Sequence, residues 1–356
     1  MPTTFYREIQ RRTIHDEYSV YFLSKLLKKL EDESIVRNDR RKKKNDKLID
    51  ITNLTSEKDK ISYLFSELPG MVKKCEEFEY ERGYRYIYLY KYNNINFDKI
   101  NSLVEEKKVQ LFTNDALCND RLVNTIGYPT YREIDDAIYL KFSMKLKSKL
   151  TDEDSIKHVI LVVINKNNNL IEIRQDVVPI EYNPKEKFYS INTRSVRSWL
   201  ESFLDAAIEK IDLQAITKYM KSNKTDEVKI TALSLKRNGM KAELDSANNT
   251  DLMIPILDEL RNLIDREPIF MIDKNTQGIK LLLENFIEEI EETSDLPAAK
   301  ILWLNNDYKV DAYHGEVSED IPFFKWKGEL KAKESIDYVT NYIIQCEREL
   351  REELED

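Results

Sequence analysis

The sharpest pattern in the chain lies at residues 137–150, AIYLKFSMKLKSKL. Ile138, Leu140, Phe142, Met144 and Leu146 alternate with Tyr139, Lys141, Ser143, Lys145 and Lys147, and Lys149 continues the polar side. Period two over ten residues predicts a long half-buried strand and excludes a helix. Residues 84–92, YRYIYLYKY, predict a second strand, with Tyr84, Tyr86, Tyr88, Tyr90 and Tyr92 on one face and Arg85, Ile87, Leu89 and Lys91 on the other. Three segments read as strand–turn–strand: 158–176, 228–245 with Asn238-Gly239 at its turn, and 299–313 with Asn305-Asn306-Asp307. They start about 70 residues apart, a spacing that raises an internal duplication.

Helical periodicity marks other stretches. Val20, Leu23, Leu27 and Leu30 form a stripe over 19–31. Helices are also predicted at 56–67, ending before Pro69, at 97–107, 194–211, 252–265 and 278–292, and from 334 to the end. Short strands are expected at 48–52, 109–112 and 323–331. The fold class expected is α+β, in two lobes, with antiparallel hairpins each followed by an amphipathic helix. The acidic break TDED at 151–154 divides the expected domains into 1–150 and 151–356.

Charge sharpens this division. The 356 residues carry a net charge of -9, with 34% charged and 41% hydrophobic residues, enough apolar content for a real core. The first 150 residues are mildly basic and the remainder strongly acidic. Segment 37–47, RNDRRKKKNDK, has no apolar residue and reads as a basic arm. Arg40, Arg41, Lys42, Lys43 and Lys44 on that arm are candidate nucleic-acid contacts. So are Lys141, Lys145, Lys147 and Lys149 on the long strand, because rows of ammonium groups displace counterions from phosphates. The tyrosine row adds faces on which unpaired bases stack. The bland reading of the same features is a solvated loop, a solvated strand face and a half-buried packing layer.

The few glycines are scattered singly, which excludes Walker and GxGxxG phosphate loops. Cys75, Cys118, Cys346, His15, His158 and His314 form no paired metal-ligand spacing, so neither a zinc site nor a disulfide framework is expected. His158 reads as a satisfied strand-end residue, and Cys118 and Cys346 as apolar fillers. No cofactor is expected. The polar N-terminus and the short longest apolar run, Val159–Ile164, lead us to expect a cytoplasmic chain without a membrane segment.

Asp311 on one strand with Glu329-Leu330-Lys331 on the next suggests a divalent-cation site, two carboxylates for the metal and a lysine for developing negative charge. Helix 278–292, three strands and a final helix place this trio in an order that resembles the core of the restriction-endonuclease-like superfamily over about 70 residues. The resemblance implies a metal-dependent nuclease. The pattern departs in lacking a following strand, and Lys325 and Lys327 share the face of Glu329 and Lys331.

Helices 278–292 and 334–354 have acidic polar faces suited to a basic protein partner. With no enzyme signature elsewhere, the leading expectation is a non-catalytic cytosolic subunit or regulator with a protein partner. Nucleic-acid contact is the secondary role, and the nuclease is the alternative. The Lys, Asn, Ile and Tyr bias resembles AT-rich genomes, and a bacterial mobile-element or phage-defence setting is the context expected.

Overall fold

The computed structural model describes residues 4–41, 47–112, 122–134, 136–151, 154–182, 187–237, 240–245, 257–293, 295–315, 321–328 and 333–355. The chain is α+β, and it divides into two compact units. The first is residues 1–209 with 331–336, and the second is 210–330 with 337–356.

Unit 1 begins with α1 (Thr4–Arg12), a π-helical turn (Thr13–Glu17) and α2 (Val20–Asp32). Ser19 caps α2 by accepting from the Phe22 amide, and Ser56 caps α3 (Glu57–Glu67) by accepting from the Asp59 amide. Between α2 and α3, β1 (Val36–Arg37) and β2 (Ile49–Asp50) pair in parallel. Then follow α4 (Met71–Glu81), β3 (Tyr86–Asn94), α5 (Lys99–Glu105), β4 (Gln110–Leu111), β5 (Thr130–Ile134), β6 (Ala137–Lys147), β7 (Ser155–Asn165), β8 (Leu170–Gln175), α6 (Phe188–Leu204) and β9 (Ala207–Lys210). The sheet order is β3-β8-β7-β6-β5-β4, with β9 against β3.

Strands β6 and β7 pair along their full length, from Ala137 opposite Asn165 to Lys147 opposite Ser155. The acidic segment 151–154 therefore joins two paired strands, and it does not separate the units. Both faces of this sheet are covered. Helix α6 lies over the Phe142 face, where Trp199 meets Phe142 edge-on at 5.3 Å and Tyr189 stacks on Tyr86 at 4.5 Å. Helix α4 lies over the Lys141 face. A sheet buried on both sides needs apolar residues at successive positions, which is why Val159–Ile164 is a continuous apolar run.

Unit 2 contains α7 (Leu213–Asn223), β10 (Val228–Arg237), β11 (Met240–Asp245), α8 (Leu257–Arg266), a 3-10 turn (Pro268–Met271), α9 (Lys274–Thr293), β12 (Asp295–Trp303), β13 (Tyr308–Tyr313), β14 (Phe323–Trp326) and most of α10 (Lys333–Glu355). Its strands run β11-β10-β12-β13-β14, each pair antiparallel. One face is apolar. Ile301, Trp303, Val310, Ala312, Phe324 and Trp326 are all buried there. Tyr342 of α10 meets Trp303 at 6.0 Å, and Tyr338 meets Tyr308 at 5.8 Å. All three expected hairpins form, β7–β8, β10–β11 and β12–β13.

Phe324 is fully buried on the covered face of β14. Phe324→Ala is expected to cost about 3–5 kcal/mol, read as a lower urea midpoint with an unchanged slope.

Candidate binding surfaces

Lys141 does not stand in an outward row. It is 1% exposed and lies in a buried cluster with Lys157, Glu76 and Glu79. Its ammonium donates to Glu79 at 2.8 Å, to the Glu76 carbonyl at 2.8 Å and to the Glu76 carboxylate. Lys157 donates to Glu79 at 2.7 Å and also to Glu76. Helix α1 completes the cluster, with the Tyr6 hydroxyl donating to Glu76 and the Gln10 amide donating to Glu79 at 2.9 Å. Burial alone raises a carboxyl. Around Glu76 the two lysine charges and their hydrogen bonds outweigh it, holding the group below the usual carboxylate range. Two cations against two anions leave no net charge, so the cluster braces α1 and α4 against the sheet and offers nothing to a phosphate.

The other proposed nucleic-acid contacts scatter. The Lys145 ammonium sits over the Phe5 ring at 5.3 Å, whereas Lys147 and Lys149 are exposed. On the basic arm, Arg40 donates to the Thr52 carbonyl at 3.0 Å and Arg41 is exposed. Lys42, Lys43 and Lys44 lie outside the described residues. The tyrosine row is interior: Tyr84, Tyr88, Tyr90 and Tyr92 are buried, so no base reaches their faces. Burial also pushes His158 down to about 4, although its bond to Gln175 acts the other way, and it raises the Cys346 thiol to about 12. At neutral pH the first is an uncharged packing residue and the second an inert thiol.

Of the expected metal trio, Glu329 and Lys331 lie outside the described residues. Asp311 is buried to 6% exposure and ion-paired to Lys327 at 2.9 Å. Its strand partners are Lys300 and Lys325. Lysines thus offset the Asp311 charge, and among the described residues no group of three or more His, Cys, Asp or Glu stands where it could hold a metal. A half-open pocket of about 330 Å³ surrounds Asp311, with Ala232, Ser234, Ala298, Lys300 and Lys327 in its lining.

The second surface was legible only in part. Helices α8 and α9 turn one side to each other, burying Ile264 and Ile287. The other side stays in water. Ile279, Leu282 and Phe286 recur at i, i+3 and i+7 on α9 and are 51%, 69% and 53% exposed. The intervening turn adds Ile269, Met271 and Ile272, also exposed. Periodicity marked 278–292 as amphipathic, but it cannot tell a helix docked on its own sheet from one that shows its apolar side. Comparison with protein-family models, curated proteins and solved structures yields no match.

Replacing one partner of a buried pair leaves an uncompensated charge. Lys141→Met should therefore cost about 3–5 kcal/mol in urea denaturation, and adding Glu76→Gln should recover part of the loss. The depressed Glu76 carboxyl stabilises the fold fully above its unfolded value. That contribution is lost as pH falls below about 4, so acid unfolding should begin there and be less steep in Glu76→Gln.

Proposed function

We propose that the chain is a non-catalytic subunit that docks a protein partner through the exposed side of the α8–α9 hairpin, and that the docked segment is a basic amphipathic helix. The observation that carries this reading is the water-exposed stripe Ile279, Leu282 and Phe286 on α9. Contiguous apolar surface of this kind on a folded unit marks an interaction site, because each large side chain left in water forgoes about 1.5–3 kcal/mol of burial. Charge selects the occupant. Residues 257–293 contain ten Asp and Glu against four Lys and Arg. A second copy would bring like charge to like charge, whereas a basic segment gains attraction at the rim. The helix-in-groove mode reads such i, i+3, i+7 anchors. No described helix is long and apolar enough to cross a membrane, so a bilayer does not account for the exposed stripe as a span.

The full chain should bind a fluorescent Leu/Lys amphipathic helical peptide at low salt, and Leu282→Ser with Phe286→Ser should weaken binding by roughly tenfold or more. Failure to bind the peptide would overturn the reading. So would self-association in sedimentation that the same substitutions abolish, since a second copy would then occupy the stripe.

A further inference from the structure

The unit 2 sheet turns a second, very different face away from its aromatic core. In an antiparallel ladder, directly paired residues point to the same side. Lys229 pairs with Leu302 and Ala232 with Lys300. On the next strand Lys300 pairs with Asp311 and Leu302 with Lys309, and Asp311 in turn pairs with Lys325. Lys229, Lys300, Lys309 and Lys325 therefore rise from one face, and Lys327, two positions beyond Lys325, extends it. Asp311 and, opposite Ser234 on β11, Glu243 bring carboxylates to this face, and Asp307 pairs with Lys309 at 3.8 Å beside it. Lys300, Lys309 and Lys327 are exposed.

Edge protection does not explain these lysines. Charged groups commonly guard the outer strands of a sheet, but β12 and β13 are interior in this order and carry Lys300 and Lys309. The pocket within the face has small residues in its floor, Ala232 and Ala298, and a hydroxyl with unused capacity. Ser234 is 7% exposed, and its Oγ has no hydrogen-bond partner among the described residues. A buried hydroxyl left unpaired costs about 1–3 kcal/mol, a cost a ligand oxygen removes. Lys327 is held in place by Asp311. The pocket, about 330 Å³, has the scale of a small polar group with its first substituent.

We propose that this face binds phosphate esters, with a phosphate seated in the pocket against Lys300, Lys327 and the Ser234 hydroxyl, and with Lys229, Lys309 and Lys325 supplying attraction around it. A divalent cation is disfavoured by five surrounding ammonium groups. The occupant that uses the whole lysine row is a single-stranded nucleic acid laid along the face, with successive phosphodiesters following the lysines; a mononucleotide, whose terminal monoester is a different group, would fill the pocket alone and is the alternative outcome of the test.

The test uses the full chain and two probes, fluorescein-labelled single-stranded DNA of about 20 nucleotides and AMP, in anisotropy at about 50 mM salt. The DNA should bind. Lys300→Glu with Lys309→Glu should weaken it at least tenfold and lower the salt slope by about 1.4, and Ser234→Val should weaken it several-fold. Lys145→Glu with Lys147→Glu in unit 1, and Leu282→Ser on α9, should leave it unchanged, which separates this site from the hairpin reading. DNA binding without AMP competition supports the strand, whereas full competition by AMP at equal phosphate concentration overturns it in favour of a mononucleotide pocket. If neither probe binds, or if the Lys300/Lys309 double variant keeps a wild-type circular dichroism spectrum and wild-type affinity, the proposal is overturned.

Discussion

Removing an ammonium ion from water costs several kcal/mol even after relaxation, and that cost decides where the strand lysines of this chain reside. Lys141 and Lys157 sit inside unit 1 only because α4 delivers Glu76 and Glu79 to the same point. Tyr6 and Gln10 of α1 use the remaining acceptor capacity of those carboxylates. The polar cluster thereby fixes how α1 and α4 seat on the sheet, since an apolar layer alone would tolerate sliding. Lys300 and Lys309, by contrast, are exposed, and Lys309 pairs at the surface with Asp307.

Strand and helix periodicity were readable from side-chain type because they depend on local geometry. The hairpins were readable for the same reason: Asn169 and Asp307 adopt positive φ, and short polar residues at such turns tolerate it. What covers each face of a strand was not readable. The Lys141 side of β6 reads as polar, and a polar side reads as solvent. The missing information lay in α4, MVKKCEEFEYE, whose three interior glutamates mask its buried side. Two glutamates three apart on a weakly patterned helix, together with lysines on adjacent strands, were the only available sign. The acidic segment 151–154 was misplaced as a boundary because hairpin loops and linkers share composition, and only pairing distinguishes them.

The two lysine sets invert what linear spacing suggests. Lys141, Lys145, Lys147 and Lys149 are close in sequence, yet one is interior, one lies over an aromatic ring and two are exposed. Lys229, Lys300, Lys309 and Lys325 are dispersed over nearly a hundred residues, and the register of β10, β12, β13 and β14 gathers them. A charge row within one strand depends on which helix covers it. A charge field across strands depends on register, which is a tertiary property. The overall acidity of the second half conceals this face, because net charge along the chain says nothing of which residues the register brings together.

Unit 2 thus carries a lysine-bearing sheet face and an acid-rich helical hairpin, and the two surfaces differ in physical kind. Attraction of a polyanion at the lysine face is almost wholly electrostatic, so its strength falls steeply with added salt, which reduces the entropy gained by releasing counterions. The hairpin combines an acidic rim with a large apolar stripe, and burial of that stripe is nearly indifferent to salt. At physiological ionic strength the Debye length is about 8 Å, so charge on one surface is largely screened from the other unless they adjoin. If both proposed ligands bind, the unit holds a cationic segment and an anionic ligand without the two neutralising each other, and rising salt releases the anion well before the apolar contact is lost.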